Sequence, residues 1–78
     1  ATKGKNIVGR RVRMARLKHR PPLTQDQLSA KLSGIGVSID RAGISKIESG
    51  ARCVLDYELK GLARVLRVSV DWLLEIED

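Results

Sequence analysis

Between Leu23 and Gly50 two short amphipathic runs, each opened by a capping residue, stand on either side of a glycine-bearing break. No other stretch narrows the possible folds as much. Thr24 occupies an N-cap position, where its oxygen can accept an orphan backbone N–H, and Gln27 completes a capping-box pattern. In the run Gln25–Leu32 that follows, Leu28 and Leu32 form an inward pair with Ala30 beside them. The break SGIGVSI, residues 33–39, alternates Ile35, Val37 and Ile39 with small residues, so it is expected to pack inward. Asp40 then caps a run from Arg41 to Ser49, and Gly50 stops it. Ile44 and Ile47 make the apolar side of this run, while Arg41, Ala42, Ser45 and Lys46 fall on the other.

The rest of the chain reads as helix too. From Ile7 to about Arg20, Val8, Val12 and Ala15 recur at helical spacing, Leu17 widens the stripe, and Pro21 and Pro22 end it. Asp56 is placed to cap a fourth helix, Tyr57–Leu66, whose inward face is Leu55, Leu59, Leu62, Ala63 and Leu66. Ser69 caps a fifth, Val70 to about Glu75, with Val70, Leu73 and Leu74 inward and Trp72 at the core edge. A frayed, basic start is expected for residues 1–6, where Lys3 and Lys5 form a loose arm. Gly43, inside the third helix, costs about 1 kcal/mol relative to alanine and implies a close approach, to DNA or to the second helix. The outcome is a five-helix, all-α bundle without strands. At 78 residues it is one domain, 1–78 with its core at about 7–74, and its core must be small.

Charge is unevenly spread. Residues 71–78 hold Asp71, Glu75, Glu77 and Asp78 and no base, so the first 70 residues carry 15 bases against 5 acids. The first helix alone holds Arg10, Arg11, Arg13 and Arg16 with no acid among them, a self-repulsion that a polyanion would relieve. Two short helices joined by a glycine-bearing turn are the outline of a helix-turn-helix. A helix held by one side and offering small and cationic groups on the other suits the major groove of DNA.

Other classes are disfavoured. The one cysteine, Cys53, permits no intrachain disulfide, and with only His19 beside it there is no zinc ligand set; no metal and no cofactor are expected. Cys53 reads as a small half-buried apolar residue. The absence of disulfides and of a signal-peptide pattern leads to the expectation of a cytoplasmic protein. Apolar runs of two or three residues are too short to span a membrane. Scattered carboxylates and a single histidine offer no catalytic cluster, so the chain is not expected to be an enzyme.

Four segments, VGRRVRMARL, LTQDQLSAKL, ISKIESG and LARVLRVSVDWLL, carry a resemblance to the Cro/repressor-type (XRE-like) helix-turn-helix transcriptional regulators over about Ile7 to Leu74. The resemblance implies a lambda repressor-like DNA-binding domain that acts as a repressor. It would bind double-stranded DNA as a homodimer on a palindromic operator. By position, Gln25 matches a glutamine that contacts phosphate, and Arg41, Ala42, Ser45 and Lys46 match base-facing residues of the recognition helix. Ser49 and Arg52, the latter expected to be exposed, match backbone-contacting positions, and Arg16 and Glu48 match an ion pair between the first and third helices. The Arg10–Arg13 cluster is a further candidate for phosphate. This chain departs from the pattern in a helix 2–3 connection about five residues longer than the usual tight turn, in a longer connection at Pro21 and Pro22, and in Ser29 where alanine is common. The alternative is a protein-interaction module on the same fold, such as an antitoxin or anti-repressor; it would need an exposed apolar patch where DNA binding needs accessible Arg41, Lys46 and Arg52.

Overall fold

The computed structural model describes residues 4–77; Lys3 of the expected arm and Asp78 of the acidic end lie outside the described residues. Five helices follow in order, α1 (Gly9–Lys18), α2 (Gln25–Gly34), α3 (Arg41–Ser49), α4 (Asp56–Leu66) and α5 (Val70–Leu73), with no strand among the described residues. One core draws on all five, and Val12, Leu28, Leu32, Ile44, Ile47, Leu62 and Leu73 are wholly withdrawn from solvent. Burying each such aliphatic side chain stabilises the fold by about 1.5–3 kcal/mol. The helix 2–3 connection enters this core through Val37 and Ile39.

Most differences from the expected boundaries lie at helix ends. α1 is shorter at both ends; at its start the Asn6 side chain takes the N–H groups of Val8 and Gly9 before the helix begins. α2 runs on to Gly34. α4 starts one residue early, with Leu55 at its N-cap, and α5 stops at Leu73. Leu55, Leu17 and Ala30 face solvent instead of the core. Leu55 is exposed because, as the N-cap, it has an extended backbone (φ −76°, ψ 157°) and does not follow the helical path that buries Leu62 and Leu66. Cys53 is likewise exposed, in the α3–α4 loop, not half-buried. Residues 4–6 are not frayed: the Lys5 N–H donates to the Gly50 carbonyl at 2.7 Å, docking this segment on the C-terminal end of α3. A Cβ on Gly9 would stand 2.1 Å from the Ile47 carbonyl oxygen, so only glycine lets α1 approach α3 this closely.

Candidate nucleic-acid interface

α3 is fastened at both ends and along one side. The Asp40 carboxylate accepts from the Gly43 N–H at 2.7 Å, which caps the start. At the other end Gly50 takes a left-handed backbone (φ 80°), and the N–H groups of Gly50 and Ala51 close on the carbonyls of Ile47 and Lys46 in a Schellman pattern. Ile44 and Ile47 are fully buried, whereas Arg41, Ala42, Ser45, Lys46 and Ser49 are exposed. With 3.6 residues per turn these five positions fall within one arc of about 140°, so they form one continuous stripe. Within the chain Gly43 makes its close approach not to α2 but to the residues that lead into α3: a Cβ there would stand 2.8 Å from Ile39 and 3.1 Å from Asp40.

Behind the stripe lies a buried charge network. Arg16 Nε and Nη2 donate to the two Glu48 oxygens at 2.6 and 2.9 Å, and Arg16 Nη1 donates to the Leu23 carbonyl at 2.8 Å. The bond to Glu48 makes Arg16 hold its proton more firmly than usual, outweighing desolvation. Gln25 Nε2 donates to Glu48 Oε1 at 3.2 Å. Gln25 is therefore half-buried and turned back toward α3, where the sequence placed it pointing outward. A carboxylate only accepts, so the amide must present its nitrogen to Glu48. Arg13, Gln25, Ser45 and Ser49 then surround a cleft of about 270 Å³ floored by this pair.

Asn6 secures the far end of α3. Its Nδ2 donates to the carbonyls of Ile47 (3.1 Å) and Arg52 (2.7 Å) while its Oδ1 holds the start of α1. The sequence marks Asn6 only as a polar residue ahead of an apolar run, a signal that fits a cap but not a bond spanning 46 residues.

Arg52 requires a correction. It is half-buried and not exposed, with Nη1 and Nη2 on the Glu58 oxygens at 2.9 and 2.7 Å. Glu58 also accepts from the Leu55 N–H at 2.9 Å. The Arg52 bonds, supported by Leu55, hold the Glu58 carboxyl below its usual range despite burial. Glu58 was missed in the sequence: with Asp56 as the expected cap it falls at the second helical position, whereas Leu55 as the actual cap puts it at the third, from which such a side chain caps backwards. Arg52 still borders a second cleft, of about 450 Å³, together with Lys5, Ala42 and Lys46. Arg41 keeps an exposed guanidinium with Asp26 at a loose 3.8 Å, and Ser49 Oγ donates to the Lys46 carbonyl at 3.1 Å.

A family model described as helix-turn-helix matches residues 23–73, which span α2, α3, α4 and α5. The chain belongs to this family, the Cro/XRE-type helix-turn-helix proteins. A comparison with curated proteins found no match. As a helix-turn-helix protein the chain is a DNA-binding regulator whose partner is double-stranded DNA. In it α2, the connection 35–40 and α3 form the motif itself. No helix among the described residues is long and apolar enough to cross a membrane.

Proposed function

We propose that this helix-turn-helix protein reads a specific DNA sequence by laying α3 in the major groove, and that it represses by occupying its site. The observation that carries this is the two-sidedness of α3: Ile44 and Ile47 fully buried, and an exposed stripe of Arg41, Ala42, Ser45, Lys46 and Ser49 with no large apolar side chain in it. A protein-interaction module would present an apolar patch there, so the antitoxin or anti-repressor reading is less well supported.

Arg41 and Lys46 act as base-edge donors, most simply to guanine O6 and N7, while Ala42 and Ser45 sit close enough to meet a thymine methyl or a base edge. Gln25, at the start of α2, and Ser49 hold backbone phosphate beside the 270 Å³ cleft. Arg52 serves the opposite rail with Lys5, but Glu58 offsets its charge, so its first task is to hold the α3–α4 loop. Because one helix reads only a few base pairs, two copies bind a palindromic operator as a homodimer on DNA.

The test is selection of bound sites from random duplexes at two salt concentrations. The reading expects an enriched site with two symmetric halves. Arg41→Ala then weakens the selected site by about 1–3 kcal/mol and relaxes one position in each half. No enrichment at either salt, or an Arg41→Ala loss equal for every sequence, overturns the base-reading role.

A further inference from the structure

α1 lies outside the segment that the family model matches, yet it carries the densest positive charge in the chain. Its four arginines have different fates. Arg16 is consumed by Glu48. Arg11 fastens the end of the chain: Nη1 donates to the carbonyls of Trp72 and Glu77, each at 2.8 Å, and the guanidinium lies 4.8 Å from the Trp72 ring centre. Arg13 is exposed and has no acidic partner among the described residues. It borders the cleft shared with Gln25, Ser45 and Ser49, whose one carboxylate, Glu48, is already neutralised by Arg16.

Arg10 stands one turn earlier and borders an adjoining cleft with Ser49 and Gly50, so the two arginines continue the α3 stripe onto α1. It is not free. Glu75 Oε1 lies 3.0 Å from Arg10 Nη2, with 70% and 36% of the Arg10 and Glu75 side chains exposed. An exposed pair of this kind is weak and exchanges readily for another anion. Glu75 is nevertheless set in place by the fold: its backbone is left-handed (φ 61°) and its N–H donates to the Trp72 carbonyl at 3.1 Å.

We propose that Arg13 and Arg10 form a second phosphate-binding strip, continuous with α3 at Ser49, and that Glu75 occupies Arg10 as an internal stand-in for a phosphate that duplex DNA must displace. The proposal rests on the DNA-binding reading above and names a further part of the same surface. The acidic end of the chain thereby lowers affinity for every duplex alike, because a competitor at a phosphate site carries no sequence information.

The experiment titrates the whole chain with a short duplex of mixed sequence across a salt series, since each phosphate neutralised adds about 0.9 to the salt slope. Arg13→Gln is expected to lower the slope by about 0.9, and Arg13→Lys to keep it. Glu75→Gln is expected to tighten binding about two- to fivefold, the range of an exposed ion pair. That gain should vanish in an Arg10→Gln background; a general change of net charge would leave it intact. Melting temperatures check that each variant folds, and Glu75→Asn, which suits the left-handed backbone, replaces Glu75→Gln if that variant melts early. An unchanged slope in Arg13→Gln, or a Glu75→Gln gain that survives without Arg10, overturns the proposal while leaving DNA binding in place. Wild-type protein without salt-dependent binding overturns the DNA-binding reading itself.

Discussion

Glu48 receives three hydrogen bonds from two elements, two from Arg16 on α1 and one from Gln25 on α2. Each donor would be stranded without it, and Arg16 would be a buried cation with no counter-charge. Breaking one side of such a pair costs about 3–5 kcal/mol. Glu48→Ala is therefore expected to lower the midpoint of chemical denaturation steeply with little change in its slope, as measured by circular dichroism against urea. The Arg52–Glu58 pair makes a prediction about acid. Glu58 titrates below its ordinary value of 4.5 in the folded chain, so its contribution is fully present above that value. It is lost as pH falls through the lower folded value. Glu58→Gln should flatten that part of the melting-temperature profile, whereas a profile identical to wild type would mean that the pair adds nothing. Of the two interactions, the Arg16–Glu48 pair is anticipated in the chain, through a resemblance. The pairing of Arg52 with Glu58 was not, because with Asp56 expected as the cap Glu58 falls one place short of the capping-box position; it takes the Leu55 N–H because Leu55 is the cap.

The long connection between α2 and α3 is an element in its own right. Its extra residues are pinned at several points: the Val37 N–H donates to the Leu32 carbonyl at 2.9 Å, and Ser29 Oγ donates to the Ile39 carbonyl. Val37 presses so closely on α4 that a Cβ on Gly61 would come within 2.8 Å of it. Ser29, a minor departure from the usual alanine in the sequence, thus ties the end of the added length back to α2 through its side chain. Ser29→Ala removes one partly buried hydrogen bond and should cost about 0.5–1.5 kcal/mol. Because that bond lies one residue before the α3 cap, discrimination should suffer more than stability. The ratio of affinities for the selected and mixed duplexes measures this, and an unchanged ratio would show that the connection does not set the pose of α3. Alternating Ile35, Val37 and Ile39 announced that the segment packs inward; the bond from Ser29 has no sequence signature.

The Cα trace of the described residues spans 32 × 24 × 20 Å. The proposed homodimer requires two such copies side by side on one face of DNA, where half-sites one helical turn apart have centres about 34–36 Å apart. Sedimentation of the complex with the selected site should give two chains per duplex; one chain per duplex would remove the palindrome from the proposal. The core that holds this shape is small, so single truncations are expected to be severe. Leu62→Ala, at a fully buried position on α4, should cost about 2–5 kcal/mol in denaturation. The chain by itself determined where helices begin and end to within a few residues, and which side of α3 is oily and which cationic, because caps and helical periods act over a handful of neighbours. Only the tertiary structure decided which cations remain available. Arg11, Arg16 and Arg52 are drawn into Trp72, Glu48 and Glu58, Arg10 is held by Glu75, and Arg41, Arg13 and Lys46 stay exposed. A side chain's charge is written in the sequence, but its partner depends on which distant carboxylate the packing of helices brings within reach.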